Sequence, residues 1–483
     1  MRQFPYWGAL FILSGCYVNH ALVDPWSWSP EESYCFSPKD RLSAALYNPL
    51  CLEESLVTLP DENQVLSLAE VLNIAMLNNP ETKITWAQAR LAAAQYAESE
   101  SPALPTLTGQ YFYNRERAGG LTSSFGDITP GGQTALFVFE QSTWGPQLQL
   151  SYTLFDFGQR RATSEAARYT LYFSNYTHDR AIQTQLENVT LDFYNALYQV
   201  KQMQALEANM GNARETLEAA ELGLKTGVKD ISDVLQAKTK YLQVEVDLFQ
   251  QQQNIQIAYS QLLNDMGLPA TQVINLQAMP DVHPKLTLEP VDCFIQMAIK
   301  MRPDLLAARA SVVSAEKSLR AAKLLVYPSV NYTLDFGRTN FSGGFTDNYD
   351  YSSTLTLNLP IFSGFWYRNN IKAACATLEE QEATLEQIEL EAIQQIVNAH
   401  SNVSVTIDTL RASYTLLSCV EEQYKISLAQ YCEGTGTILD VTSALAALFD
   451  ARAQVASSLK NWFSALATLA YSAGTLTKPP ESL

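Results

Sequence analysis

The chain repeats one pattern of residues, and this duplication constrains its fold more than any other feature. Four pairs of residues mark the repeat: Pro80 with Pro303, Pro105 with Pro328, Gly227 with Gly434, and Gly267 with Gly474. The proline pairs share an offset of 223 residues and the glycine pairs an offset of 207. Because self-similarity at a fixed spacing is typical of repeated structural units, we expect a first repeat over 66–285 and a second over 286–476, with a tail at 477–483.

The distribution of proline leaves two long stretches free for helices. None of the 20 prolines lies between residues 146 and 269 or between residues 360 and 479. A proline inside a helix breaks its hydrogen-bond ladder, so long helices are expected in these gaps. Within both gaps, apolar residues recur about every 3.5 residues, which is the period of a coiled coil.

Each proline-free stretch is interrupted once by a glycine-containing turn, near Gly227 in the first and near Gly434 in the second. Such turns reverse the chain between two periodic segments. We therefore expect two helical hairpins, over about 158–265 and about 363–472. The longer helix of each hairpin would reach roughly 100 Å at 1.5 Å per residue.

Four segments between the helical parts alternate between apolar and polar residues: about 105–115, 146–156, 329–338 and 351–361. Alternation over about 9–11 residues, flanked by aromatic residues, is typical of transmembrane β-strands. The alternative is a half-buried sheet in a soluble protein. Links rich in glycine, serine and threonine, at 118–134 and 342–349, are expected to be solvent loops.

Four strands cannot close a membrane barrel, because the smallest closed barrels use about eight. An open sheet edge in lipid leaves backbone groups without hydrogen-bond partners, which costs several kcal/mol for each group. The chain is therefore expected to oligomerise. Two chains would supply eight strands and three would supply twelve, and counting strands does not choose between them.

The N-terminus has the pattern of a secretory signal followed by a lipidation site. One arginine, a short apolar run and small residues precede Cys16. This arrangement predicts a signal peptide over 1–15 and acylation of Cys16, which would anchor the chain to a membrane. The alternative is an ordinary signal peptide with an incidental cysteine. Residues 16–65 are expected to be irregular.

The remaining cysteines fall into two groups. Cys35 and Cys51 lie in the irregular segment, where an exported setting permits a disulfide without requiring one. Four others lie in helical patterns and are expected to be small buried hydrophobic residues: Cys293, Cys375, Cys419 and Cys432.

Charge and composition argue against several classes of function. The net charge of -18 argues against nucleic acid, whose phosphates require lysine and arginine, and it could bias a water-filled passage toward cations. The four histidines are scattered and have no metal-ligand spacing. The sequence also lacks a phosphate-binding glycine loop and a nucleophile elbow. We therefore expect no enzyme activity, no cofactor and no metal site.

Three motifs together resemble the TolC family of outer-membrane efflux proteins. They are LSLAEVLNIAMLNNPE, LFDFGQRRA with its partner PIFSGFWYRN, and EGTGTILDV. The resemblance covers roughly residues 66–476, and with the lipidation signal it is strongest for the lipidated branch that serves tripartite pumps. It implies an α+β membrane protein that forms a homotrimer in the bacterial outer membrane. Three chains would build a twelve-stranded barrel and a helical periplasmic tunnel, which meets a periplasmic adaptor protein and an inner-membrane transporter.

The resemblance also implies that the pore is gated at the hairpin turns. Five residues match or accompany the family's gating motif: Asp440, Asp233, Tyr431, Gly434 and Gly227. Ser443 stands where the family commonly has a second aspartate, and Gly436 replaces a latching arginine, so the gate should differ from that of other members. The alternative interpretation is that Asp440 only caps a helix.

Two other functions remain open at the level of sequence. The same tunnel could serve a type I protein-secretion system instead of small-molecule efflux. A trimeric structural coiled-coil protein of the outer membrane is the other alternative. The duplication with paired strands argues against the structural protein, because a stalk needs no hairpin that returns to the membrane.

Overall fold

The computed structural model describes residues 64–122, 135–282, 288–342 and 348–476. The predicted acylation of Cys16, the signal segment and the pairing of Cys35 with Cys51 lie outside these residues. None of the helices in the described ranges combines the length and apolar character that a membrane-spanning helix needs.

The described chain contains two series of elements that match except for the short strands β1 and β4, which pair with each other in the first series. The first series is β1 (Val65–Leu66), α1 (Leu68–Asn78), α2 (Pro80–Glu100), β2 (Thr106–Thr122), β3 (Ala135–Phe155), α3 (Gln159–Lys225), α4 (Ile231–Asp265) and β4 (Asn275–Leu276). The second series is α5 (Val291–Met301), α6 (Pro303–Leu324), β5 (Ser329–Phe341), β6 (Asn348–Asn358), α7 (Trp366–Cys432) and α8 (Ile438–Ala473). The predicted helical hairpins are therefore confirmed, and α3 and α7 each span 67 residues.

The chain divides into two compact units. The first contains the described residues within 92–171 and 310–382, and it includes the four longer strands. The strands form one antiparallel sheet in the order β2-β3-β5-β6, so β2 and β6 are its edges. On one face polar side chains pair across strands, with Gln149 Nε2 donating to Asp335 Oδ1 at 2.9 Å. Leu107, Leu355 and other apolar side chains are exposed on the opposite face.

The strands of the first pair are longer than the sequence predicts. β3 begins at Ala135 instead of about residue 146, and β2 continues to Thr122, so the expected solvent loop at 118–134 is wrong at its start. The β2–β3 ladder holds its register through this region, with Gly119 opposite Val138. Backbone hydrogen bonds between neighbouring strands form whether or not apolar and polar side chains alternate. Alternation in the sequence therefore does not identify these residues as strand.

The second compact unit contains most of both hairpins, with α3 from residue 172 and α7 from residue 383 onward, and it also contains the short helices α1 and α5. Along α3, buried residues recur at heptad spacing in two sets, Ile182, Val189 and Ala196, and then Leu206, Ala213 and Ala220. This spacing confirms the predicted coiled-coil period. In the first repeat α1 packs Val71 and Ala75 into a core formed with Phe193 of α3 and Leu262 of α4.

Four cysteines depart from the expectation that they are buried. Cys293, Cys419 and Cys432 are exposed, and Cys375 is half-buried. The helix period explains two of them, because each adjoins a residue that faces the core. Cys419 precedes the buried Val420, and Cys432 follows the buried Tyr431. Adjacent residues in a helix point about 100° apart, so the cysteine side chains face outward.

The duplicated proline and glycine motifs meet in space in each repeat. In the first, Asn79 precedes Pro80 and donates from Nδ2 to the carbonyl of Asp265 at 2.8 Å. Gly267 adopts a φ of 71°, and a Cβ there would lie 2.8 Å from the carbonyl carbon and oxygen of Asn78. The spacing therefore requires glycine, since it tolerates positive φ and close backbone approach.

The second repeat builds the same junction with a different side chain. Arg302, which precedes Pro303, donates from Nη1 to the carbonyl of Ser472 at 3.1 Å. Ser472 lies 207 residues after Asp265, and Gly474 (φ 74°) packs against Arg302 as Gly267 packs against Asn78 and Asn79. Arg302 is 2% exposed and also forms a two-bonded ion pair with Asp304, at 3.0 and 2.6 Å. One geometry, supported by an amide or by a buried guanidinium, thus closes each repeat.

A pair of carboxyl groups joins α3 to the end of α4. The carboxyl group of Asp265 lies beside that of Asp192 and favours the protonated form of Asp192. Burial, followed by the hydrogen bond and charge of Asp265, raises the pKa of Asp192 to about 7. The folded protein therefore binds a proton that the unfolded chain releases above its ordinary aspartate pKa.

The carboxyl pair predicts a pH-dependent stability. Between about pH 4 and pH 7 unfolding releases the proton of Asp192, so stability falls as pH rises through this window. Asp192→Asn removes that dependence and raises the apparent Tm at about pH 8 more than at about pH 5. Calorimetry of the detergent-solubilised protein at one scan rate measures the shift, with Asp450→Asn, at an exposed position of α8, as the control. An equal shift at both pH values would contradict the raised pKa of Asp192.

Candidate functional site

The turns of the two helical hairpins have the same backbone geometry. Gly227 and Gly434 adopt left-handed conformations, with φ of 75° and 81°. The N–H of Val228 donates to the carbonyl of Gly223 at 2.9 Å, and the N–H of Thr435 donates to that of Gln430 at 3.0 Å. These bonds, related by the 207-residue offset, end each long helix in a Schellman-type cap. We call residues 223–233 and 430–440 the first and second hairpin tips.

Each tip then starts the returning helix with a polar cap. Asp230 accepts a hydrogen bond from the N–H of Ile231 at 2.7 Å. In the second tip Thr437 and Asp440 form a capping box, in which Asp440 Oδ2 accepts from the Thr437 hydroxyl at 2.7 Å and the Thr437 N–H at 3.1 Å. These two bonds lower the pKa of Asp440, which is exposed. Asp440 therefore caps α8, as the alternative interpretation expects.

Tyr431 and Asp233, the equivalent of Asp440 in the first tip, connect the two hairpins. Tyr431 is 1% exposed, and its hydroxyl donates to Asp233 Oδ2 at 3.2 Å. Burial, followed by the charge and hydrogen bond of Asp233, raises the pKa of Tyr431 to about 12. The phenol is therefore a neutral donor at physiological pH. All five predicted tip residues thus lie at the tips: Gly227 and Gly434 form the matched turns, Asp440 belongs to the capping box, and Tyr431 and Asp233 form this bond.

Sequence reasoning missed a further residue of this cluster. The Lys229 Nζ lies 4.0 Å from the centroid of the Tyr431 ring and 3.4 Å from the carbonyl oxygen of Gly436. The repeat offset would have pointed to it, because Lys229 is the equivalent of Gly436, where the family's arginine is missing.

Among the described residues, no group of three or more histidine, cysteine, aspartate or glutamate side chains is placed to hold a metal ion.

The duplicated fold and the paired tips agree with a comparison against protein families. The family described as "Outer membrane efflux protein" matches residues 71–268 and 294–475. These two ranges cover most of the chain and correspond to its two repeats. The chain belongs to the outer membrane efflux protein family. It is accordingly a passive channel component of the bacterial outer membrane, and the resemblance inferred from the motifs is confirmed.

Known outer membrane efflux proteins match over most of their length. Outer membrane protein TolC of Escherichia coli K12 is 24% identical over 445 residues, which cover 89% of this chain and 86% of TolC. Cation efflux system protein CusC of the same organism is 24% identical over 401 residues, 81% of this chain and 82% of CusC. The crystal structure of VceC from Vibrio cholerae superimposes with a TM-score of 0.72 at 19% identity, covering 84% of this chain and 96% of VceC.

The bond between Tyr431 and Asp233 predicts a measurable loss of stability. Tyr431→Phe keeps the ring and removes the hydroxyl, which should cost about 1 kcal/mol and lower the apparent Tm of the solubilised protein. Tyr241→Phe is the control, since it loses only an exposed 3.4 Å contact with Arg214. In an Asp233→Ala background the effect of Tyr431→Phe should shrink. Equal effects in both backgrounds would show that the two side chains are not coupled.

Proposed function

We propose that three copies of this chain form a channel-tunnel that passively conducts solutes from an inner-membrane pump, through a periplasmic adaptor, to the exterior. Three four-stranded sheets would supply a twelve-stranded barrel. The proposal includes acylation of Cys16, which the lipidation signal in the sequence supports. Support for the pump comes from CusC, whose name places it in a cation efflux system.

The open edges of the sheet carry this proposal. β2 and β6 are the two edges, and each has a strand neighbour on one side only. Leu107 on β2 and Leu355 and Leu357 on β6 are exposed, so the apolar face reaches both edges. In lipid each unpaired backbone group would cost several kcal/mol. Pairing β6 of one copy with β2 of the next satisfies both edges, and repetition of this heterologous contact closes a ring.

The helices of the second compact unit give independent support. α4 buries one face within the chain, including Ala237, Val244 and Leu262. Its opposite face carries a second apolar stripe that is exposed in the single chain, formed by Leu235, Leu242, Val246, Phe249 and Ile257. α7 carries exposed apolar residues as well, among them Leu390, Val397 and Val405. A helix that is apolar on opposite faces is typically buried on both, which favours packing against further copies.

The assembly is tested by native mass spectrometry of the purified full-length protein together with current measurements across a planar bilayer. We expect a particle of three acylated chains that opens discrete channels. Phe249→Glu, within the exposed stripe, should reduce the trimer fraction, because it places a charge in the contact. Gln236→Glu, exposed on the flank of α4, should leave it unchanged. A monomer or dimer without channels would overturn the proposal.

The pore role of Asp440 can be separated from its role as a cap. In a trimer three Asp440 carboxylates would form a ring that attracts cations. Asp440→Asn keeps a side-chain oxygen for Thr437 and removes the charge, whereas Asp440→Ala removes both. We expect both variants to weaken the block of the pore by multivalent cations in single-channel recordings. Wild-type block in the asparagine variant would leave Asp440 as a helix cap alone.

A further inference from the structure

We propose that Lys229 is a positioning residue that holds the two hairpin tips of one chain together and thereby sets how often the channel opens. The inference rests on the proposed channel function and adds to it a residue beyond the five tip residues that the sequence motifs indicate. It is carried by the contacts of Lys229 with the second tip and by two glycines that make room for them.

Lys229 makes two contacts across the hairpins. Its ammonium group lies 4.0 Å from the centroid of the Tyr431 ring and 3.4 Å from the carbonyl oxygen of Gly436. The first is a cation–π contact with a buried aromatic ring, and the second is a charged hydrogen bond to a backbone carbonyl at the end of the turn. Both recipients belong to the second tip, while Lys229 belongs to the first.

Gly223 provides the space that the lysine needs. A Cβ at position 223 would lie 2.5 Å from Cγ and 3.0 Å from Cβ of Lys229, closer than packed atoms approach. The aliphatic stem of Lys229 therefore passes over the helix where a side chain is missing. Glycine at position 223 thus allows the Lys229 side chain to cross the turn toward the second tip.

The second tip reverses this arrangement. At the 207-residue offset, Gln430 stands at the position of Gly223 and Gly436 at the position of Lys229. A Cβ at position 436 would lie 3.1 Å from the Gln430 Cβ and from the Tyr431 backbone nitrogen. Each tip thus pairs one glycine with one long side chain, but in opposite order. Only the first tip has a long side chain at the position that reaches across to the other hairpin.

Tyr431 is consequently held at both ends by the first tip. Its ring faces the Lys229 ammonium, and its hydroxyl donates to Asp233. The neutral phenol contacts a cation and an anion without carrying a charge itself. A movement that separates the two tips must break both contacts and the bond to Gly436 together. The loss of Lys229 therefore favours the separated, open arrangement.

The test uses the full-length protein in planar bilayers and measures the ratio of open to closed dwell times. Lys229→Met keeps the stem and removes the charge, and it should raise this ratio about 2- to 30-fold, the range that corresponds to a cation–π contact. Lys229→Arg should restore the wild-type ratio, because it returns a cation. Lys225→Met, at an exposed lysine at the end of α3, should not change it.

Gly223→Ala provides a second, independent variant. The added methyl group displaces the lysine stem, so this variant should open the channel as Lys229→Met does. The double variant should be no more open than either single one, since both changes remove the same contacts. Wild-type gating in Lys229→Met, or additive effects in the double variant, would overturn the role of Lys229. If the wild-type protein forms no channels, the proposed function fails instead, so the two failures are distinguishable.

Discussion

The four-stranded sheet has two edges, and the rest of the assembly follows from the need to pair them. Backbone N–H and C=O groups in lipid have no water to bind, so a sheet with edges β2 and β6 is incomplete in a membrane. The second apolar stripe of α4, on the face opposite Val244, poses the same requirement for the helices. A family of channels can thus be encoded in a chain that cannot form a channel alone.

Duplication supplies two similar halves, and small differences between them adapt each half to a distinct task. The junction that closes each repeat uses an amide at Asn79 and a buried guanidinium at Arg302, and both bind a carbonyl near the end of the returning helix. At the tips, Gly223 and Lys229 of the first repeat correspond to Gln430 and Gly436 of the second. Only the first tip therefore extends a lysine side chain to the other tip. A duplicated fold can in this way acquire an asymmetric mechanical link without a change in its backbone.

The helical hairpins and the existence of four strands could be predicted because periodicity and proline report directly on backbone structure. The positions of Gly227 and Gly434 were predictable for the same reason, since a left-handed turn selects glycine. The early start of β3 was not predictable, because strand pairing there depends on a neighbour and not on its own pattern. The contacts of Lys229 were not predictable either, because they depend on how the turn of one hairpin packs against the other hairpin.

The hairpin formed by β2 and β3 is longer than the hairpin formed by β5 and β6. The ladder between β3 and β5 ends at Thr143 opposite Phe341, whereas the ladder between β2 and β3 continues to Thr122 opposite Ala135. The distance in sequence between equivalent residues of the two repeats falls from 223 before the strands to 207 after them, mainly because the first hairpin contains more residues than the second. In the proposed trimer, longer and shorter hairpins would alternate around the barrel. The end of the barrel at which β2 meets β3 would therefore have three longer projections instead of a level rim.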